Sequence, residues 1–149
     1  MEKKTDPRMH SAEHILNQTM TRMFDCGRCF SAHIEKKKSK CDYHFDRALT
    51  PTEIRDIETR VNDVILAGMP VTEGYITKQE AREQHSLARL PPAAGERIRI
   101  IRIGNYDACP CIGSHVDSTK KIGRFKISST SFQSGVLRIR FKLTDLIPA

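Results

Sequence analysis

Residues 10–16 read HSAEHIL. His10 and His14 stand four apart, and residues at that spacing share one face of a helix. Two imidazoles so placed can grip one metal ion. The same letters spell H-x-x-E-H, the inverted zinc-peptidase pattern in which Glu13 is the general base. Far along the chain, residues 109–115 read CPCIGSH. There Cys111 and His115 are again four apart, in a segment whose glycine and serine imply a tight loop, with Cys109 as a spare thiol. Imidazole and thiolate are favoured zinc ligands, and tetrahedral nitrogen–sulfur sets are common. Joined, His10, His14, Cys111 and His115 make a set of three histidines and one cysteine. Each half alone says little, because surface histidines four apart arise by chance and a cysteine beside glycine is usually packing. Two such halves in one short chain are more specific. Four protein ligands describe a closed, structural site. Chemistry there needs a fifth coordination position or the release of a ligand, and the sequence leaves both open.

Such ligands need elements to hold them. Asp6-Pro7 is a helix start, with an acidic N-cap followed by proline at the first helical position. The helix should run to about Phe24 and end at Cys26-Gly27. Met9, Ala12, Ile15, Leu16, Thr19 and Met23 form its apolar face, and His10 and His14 lie nearly opposite with Asn17 and Thr21. Strands are expected over about 29–34 and 40–46, joined by the charged turn EKKKSK. Thr50-Pro51-Thr52-Glu53 is a capping box. It opens a second helix through Ile54, Ile57, Val61, Val64 and Ile65, stopped at Gly68. A strand at 71–76 precedes another capping box, Thr77 to Glu80, and a short helix to about Leu90. A loop at 91–95 leads to a strand at 97–103, then a cysteine- and glycine-rich loop, then strands at 123–128 and 136–143. Helices and strands are not interleaved one for one. The expected class is therefore α+β, a largely antiparallel sheet packed with two main helices and a short one.

The chain has 149 residues, enough for one domain spanning 1–149 with a real core. No apolar run approaches a membrane span. The opening MEKKTDPRMH has no apolar signal region, so a cytoplasmic location is the default expectation. Five cysteines cannot all pair within one chain, which favours free thiols or metal ligation. Cys26-x-x-Cys29 has no second C-x-x-C, so packing is its plainer role. A net charge of +7 favours a polyanionic partner, though many domains are basic without one.

Five blocks together point to a family. HSAEHIL resembles the HSATHLL-type motif of the editing domain of alanyl-tRNA synthetase. CIGSHVDSTKKIGRFKI resembles that domain's CGGTHVxNTGEIGxFKI stretch. Between them, FDRALTPTEIRDIETRVNDVILAGMPV is similar to its F-x-x-ALT-x-x-E-L-x-x-IE-x-x-VN segment, and RIIRIGNYDACPC to the strand entering the cysteine. SGVLRIRF is similar to its closing strand. The blocks keep their order from about His10 to Phe141. The domain also occurs free-standing, as the AlaX proteins that edit in trans, and in related form in threonyl-tRNA synthetase.

The resemblance implies a short, free-standing, zinc-dependent deacylase. Its substrate would be the ester of serine, with glycine as a second candidate, wrongly attached to alanine tRNA. It places His10, His14, Cys111 and His115 on the four zinc positions. Two departures bear on specificity. The family's Gly-Gly-Thr is Ile112-Gly113-Ser114 here, and its Gln-x-Gly-Ser segment reads Phe30-Ser31-Ala32-His33.

Within that reading, zinc polarises the carbonyl, activates water, or anchors the amino group or ribose. Glu13 is the only carboxylate in either motif and so the candidate base, although its helix position points it partly away from the histidines. Backbone N–H groups around Gly113 are candidate oxyanion donors. Ser31 and Ser114 are candidates to pair with the serine hydroxyl, since polar pairing discriminates strongly. His33 is a candidate pocket residue or an ordinary strand histidine. Arg138 is a candidate contact to the tRNA 3′ end or a surface strand arginine. Lys36, Lys37, Lys38 and Lys40, and then Lys120, Lys121, Arg124 and Lys126, are candidate phosphate contacts, or simply solvated charge. Two other readings stand: a zinc peptidase or other metal hydrolase using Glu13, and a non-catalytic tRNA-binding module with a structural zinc.

Overall fold

The structure, a computed structural model, describes residues 6–85 and 96–145. Helix α1 spans Pro7–Phe24 because Asp6 caps it, its carboxylate accepting the Met9 N–H, and Pro7 suits the first turn. Strands β1 (Ser31–Ile34) and β2 (Ser39–His44) form a hairpin. Helix α2 (Pro51–Ala67) starts at the Thr50/Glu53 capping box, both arms of which are formed, and ends at Gly68 with φ 63°. Strand β3 (Val71–Thr77) runs into α3 (Lys78–Gln84) through the second capping box. Then come β4 (Arg97–Ile103), β5 (Asp107–Pro110), a 3-10 turn at Thr119–Lys121, β6 (Arg124–Gln133) and β7 (Val136–Thr144).

The strands form two antiparallel sheets, ordered β1-β2-β7-β6 and β3-β4-β5. The α+β class holds. The sequence reading had one sheet; the described strands make two, because β3 and β4 pair with each other rather than with the first hairpin. Part of the cysteine-rich loop is β5, which pairs with β4 at Ile101↔Cys109. Strand β6 runs to Gln133, past the expected end, across a bulge between Ile127 and Ser129. The helix expected to reach Leu90 ends at Gln84; the expected loop at 91–95 lies outside the described residues.

Helix α1 is buried almost all round. Met9, Ala12, Leu16 and Met20 join the main core with Ile57, Val61 and Ile65 of α2 and Leu137, Ile139 and Phe141 of β7. Its polar side is covered too: Ser11, Glu13, His14, Asn17 and Thr19 are all buried. Asn17 Oδ1 accepts from the Tyr43 hydroxyl and the Cys29 N–H. Gln18 reaches Asp107 at the start of β5, and the Thr19 and Tyr106 hydroxyls bond each other. The histidines do face away from the apolar stripe, yet they face protein, because the second sheet closes over that side.

Candidate metal centre

Three imidazoles and one thiol meet where the start of α1 faces the 111–115 loop. Their ligand atoms, from His10, His14, Cys111 and His115, all lie within 4.8 Å of one another. Cys111 Sγ is 3.3 Å from His10 Nε2 and 3.4 Å from His115 Nε2. A tetrahedral zinc, with bonds of about 2.3 Å to sulfur and about 2.0 Å to nitrogen, separates such donors by about 3.6 Å. The donor set fits that ion in chemistry and in spacing.

Two of the three ring nitrogens facing away from Cys111 are hydrogen-bonded. His10 Nδ1 donates to the Ser114 carbonyl at 3.2 Å. A carbonyl only accepts, so Nδ1 carries the hydrogen and Nε2 keeps its lone pair for the cluster. His115 Nδ1 meets Ser11 Oγ at 3.0 Å, and Ser11 Oγ also accepts from the Val116 N–H. His14 Nδ1 is buried with no hydrogen bond, 3.6 Å from Asp107 Oδ2. Arg28 clamps Asp107 with bonds of 2.7 and 3.3 Å, and Gln18 adds one of 2.9 Å.

The charges follow from this wiring. Burial opposes ionisation of Cys111, but the surrounding imidazoles of His10, His115 and His14 prevail and hold its thiol down at about 3. Burial likewise opposes a charged His14, yet Asp107 and Cys111 raise it to about 9. Burial lowers His115 to about 4. Despite its burial, Asp107 sits well below the carboxylate range because of His14 and Arg28. Burial pushes the nearby Cys109 up to about 12, so it stays a thiol.

The loop carrying Cys111 is pinned by Arg99 of β4. Its Nη1 donates to the carbonyls of Cys111 and Gly113 at 3.3 and 2.8 Å, while Nε holds Glu73. Gly113 lies against the His10 ring: a Cβ there would stand 2.2 Å from His10 Cε1. No side chain fits without displacing that ligand.

Glu13 is buried beside the cluster, with Oε1 3.8 Å from His10 Nε2 and Oε2 3.8 Å from Cys29 Sγ. Its long side chain thus reaches back toward the histidines from a helix position pointing partly away. The Gly113 N–H, expected to be an oxyanion donor, points instead at Cys111 Sγ at 3.4 Å. Ser114 is exposed at the cluster, and its carbonyl is what holds His10. The structure does not bring Ser31, His33 or Arg138 to the cluster. Side chains alternate along a strand, and these three lie on the face of the four-stranded sheet turned away from the core. His33 bonds Glu35, and Arg138 bonds Asp42 at 2.8 and 3.0 Å. Lys36, Lys37 and Lys38 are exposed on the β1–β2 turn; Lys120 and Lys121 are exposed on the 3-10 turn, Lys121 paired with Asp117.

Sequence reasoning missed Ser11, Arg28, Arg99 and Asp107. Ser11 sits inside HSAEH, where its place in the motif was a usable signal. The other three read as ordinary charges: Arg28 and Asp107 meet partners remote in the chain, and Arg99 reaches its loop only through the fold of β4.

A helix and a two-sheet scaffold that hold three histidines and a cysteine together define an α+β domain with a candidate metal site. Residues 98–140 match the family described as the threonyl and alanyl tRNA synthetase second additional domain. The chain is 34% identical to the alanine–tRNA ligase of Methanocella arvoryzae over 141 residues, 91% of this chain and 16% of the ligase. It is 31% identical to that of Fervidobacterium nodosum over 93% of this chain and 16% of the ligase. A Coxiella burnetii alanine–tRNA ligase is 31% identical over 89% of the chain and 16% of the ligase. Both likenesses fall where HSAEHIL and CIGSHVDSTKKIGRFKI led one to expect: residues 98–140 are similar to that domain and most of the chain to a segment of these ligases. The chain spans about 16% of the length of the relatives it matches. No helix among the described residues is long and apolar enough to cross a membrane.

Proposed function

We propose that this chain is an aminoacyl-tRNA deacylase, hydrolysing the ester of a wrongly attached amino acid on alanine tRNA, with serine the first substrate and glycine the second. The observation that carries the reading is the convergence of His10, His14, Cys111 and His115, from the two blocks that resemble the editing domain. Those four residues would hold zinc, whose chemistry there is that of a Lewis acid toward a carbonyl, a water or the substrate's amino group.

The protein's own groups do the rest. Ser11, the Ser114 carbonyl and Asp107 orient the imidazoles before substrate arrives. Arg99 keeps the Cys111–Gly113 loop in place. Glu13, held near His10, takes a proton from the attacking water as oxygen bonds to the ester carbon. The carbon–oxygen bond to the ribose then breaks, and that proton goes to the departing ribose oxygen, which leaves as the hydroxyl. The exposed Ser114 hydroxyl pairs with the serine side chain. Lys36, Lys37, Lys38, Lys120 and Lys121 supply phosphate contacts whose strength falls with salt.

The test is release of amino acid from serine- and glycine-charged alanine tRNA by zinc-loaded protein. Serine release should be lost in His10→Ala and fall steeply in Glu13→Gln. Release that survives His10→Ala ends the zinc proposal. Tight tRNA binding without turnover of any ester leaves a binding module instead.

A further inference from the structure

One face of the four-stranded sheet packs on the helices; the other carries the alternate residues of each strand. On that outer face Lys40 of β2 stands opposite Arg140 of β7, and Lys142 follows Arg140 by one alternation. Opposite partners are about 5 Å apart and alternate residues about 7 Å. The β1–β2 turn, with Lys36, Lys37 and Lys38 exposed, overhangs the same end of the sheet, because Ser39 pairs with Phe141. Six cations therefore gather there. The acids nearby are Asp42, taken by Arg138, and Glu35, bonded to His33. Lys126 of β6 stands opposite Lys142 on this face, but with Arg124 it also lines a groove beside Glu58 and Asp63 and is left out of this set.

The opposite end of this face is aromatic. Phe30, 42% exposed, stacks its ring on the exposed His44 at 4.0 Å and 14°. Cys29, the residue before Phe30, turns into the core instead. There it approaches Glu13 at 3.8 Å, and Glu13 approaches His10 at the same distance. His44 and Lys40, four residues apart on β2, stand about 14 Å from each other.

We infer that this face docks RNA with an unpaired 3′ end, the sugar-phosphate chain on Lys40, Arg140, Lys142 and the turn lysines, and a terminal base stacked on Phe30. Cations in a row match a phosphate chain, and an exposed aromatic ring matches the π-face of any base. The order of the two features sets the direction: the unpaired end lies over Phe30 and His44 and the helical body trails past the turn. The inference rests on tRNA being the substrate, and it assigns a surface that the sequence reading gave only as scattered lysines.

The test uses fluorescence anisotropy with two uncharged RNA hairpins, one with a four-nucleotide 3′ overhang and one blunt. The wild type should prefer the overhang. Phe30→Ala should weaken overhang binding about tenfold and leave the blunt hairpin unchanged. Phe30→Leu keeps the apolar bulk and should show the same selective loss, separating stacking from misfolding. Arg140→Gln with Lys142→Gln should weaken both RNAs and flatten the log affinity–log salt slope by about 1.5. Variants that bind both RNAs as the wild type does, or a wild type that binds neither, overturn the inference. So does a wild type that binds phosphatidylserine vesicles through the same residues and ignores RNA. Deacylation assays separate this surface from the proposed activity: ester hydrolysis whose KM is unmoved in these variants sinks the surface alone, whereas RNA binding through them without hydrolysis sinks the activity alone.

Discussion

The hundred-residue gap between the two histidine motifs closes at single atoms. Gly113 shows how tightly. Its missing side chain is what lets the His10 ring lie over the loop. Gly113→Ala should move His10 and weaken metal binding about tenfold or more, read by competition with a chromogenic zinc chelator. No positive φ is involved, so thermal stability should change far less than affinity. The protons give a second expectation. Metal ligation needs His14 neutral, yet in the metal-free protein it keeps its proton up to about pH 9, whereas Cys111, at about 3, is already a thiolate at neutral pH. Zinc binding at pH 7 should displace about one proton from His14 and none from Cys111. Apparent affinity should then rise about tenfold per pH unit until pH passes about 9. Calorimetry in buffers of different ionisation enthalpy counts those protons; release of none would contradict the charge state derived from the Asp107 contact.

At the scale of elements, the caps were legible and the burial was not. Asp6-Pro7, Thr50 to Glu53 and Thr77 to Glu80 announce their helices through short-range hydrogen bonds, and all three form as read. The first turn of α1 carries His10, so its cap bears on the site. Asp6→Ala should cost about 1 kcal/mol and loosen His10, visible as a lower melting temperature together with weaker zinc binding. Strand β5 was hidden inside a cysteine-rich loop, because four residues with a proline carry no clear alternation. Its pairing with β4 is decided by β4, whose isoleucines need a neighbour on that side.

Asp107 works at the scale of the whole molecule. It ties β5 to α1 through Gln18 and His14, and to the segment before β1 through Arg28. Asp107→Ala should destabilise by about 3 kcal/mol, since it strips a buried carboxylate from a charged partner. Asp107→Asn, which keeps the shape, should cost less stability and weaken zinc affinity about tenfold when measured above pH 9, where the His14 proton no longer competes. The pH signs follow from the two shifts. Asp107 is depressed in the fold, so its contribution is present above the ordinary value of 3.8 and lost as pH falls below it. His14 is raised, so its contribution is full below 6.5 and lost as pH rises through about 9. In metal-free protein the pair should stabilise most between about pH 4 and 6.5, and urea titrations of wild type against Asp107→Asn should show that window vanish.

From the chain alone came the helices with their caps, most strands, the α+β class, the resemblance to a synthetase domain, and four ligand candidates in two local motifs. Those features depend on spacing within a few residues or on the order of blocks, which a linear text records. Only the tertiary structure decided that the polar side of α1 is buried, that the strands divide into two sheets, and that Ser11, Arg28, Arg99 and Asp107 hold the ligands. It also set Ser31, His33 and Arg138 on the outer sheet face, away from the cluster. Those outcomes turn on which surfaces pack together, and burial and charge pairing between separate segments leave no local pattern to read.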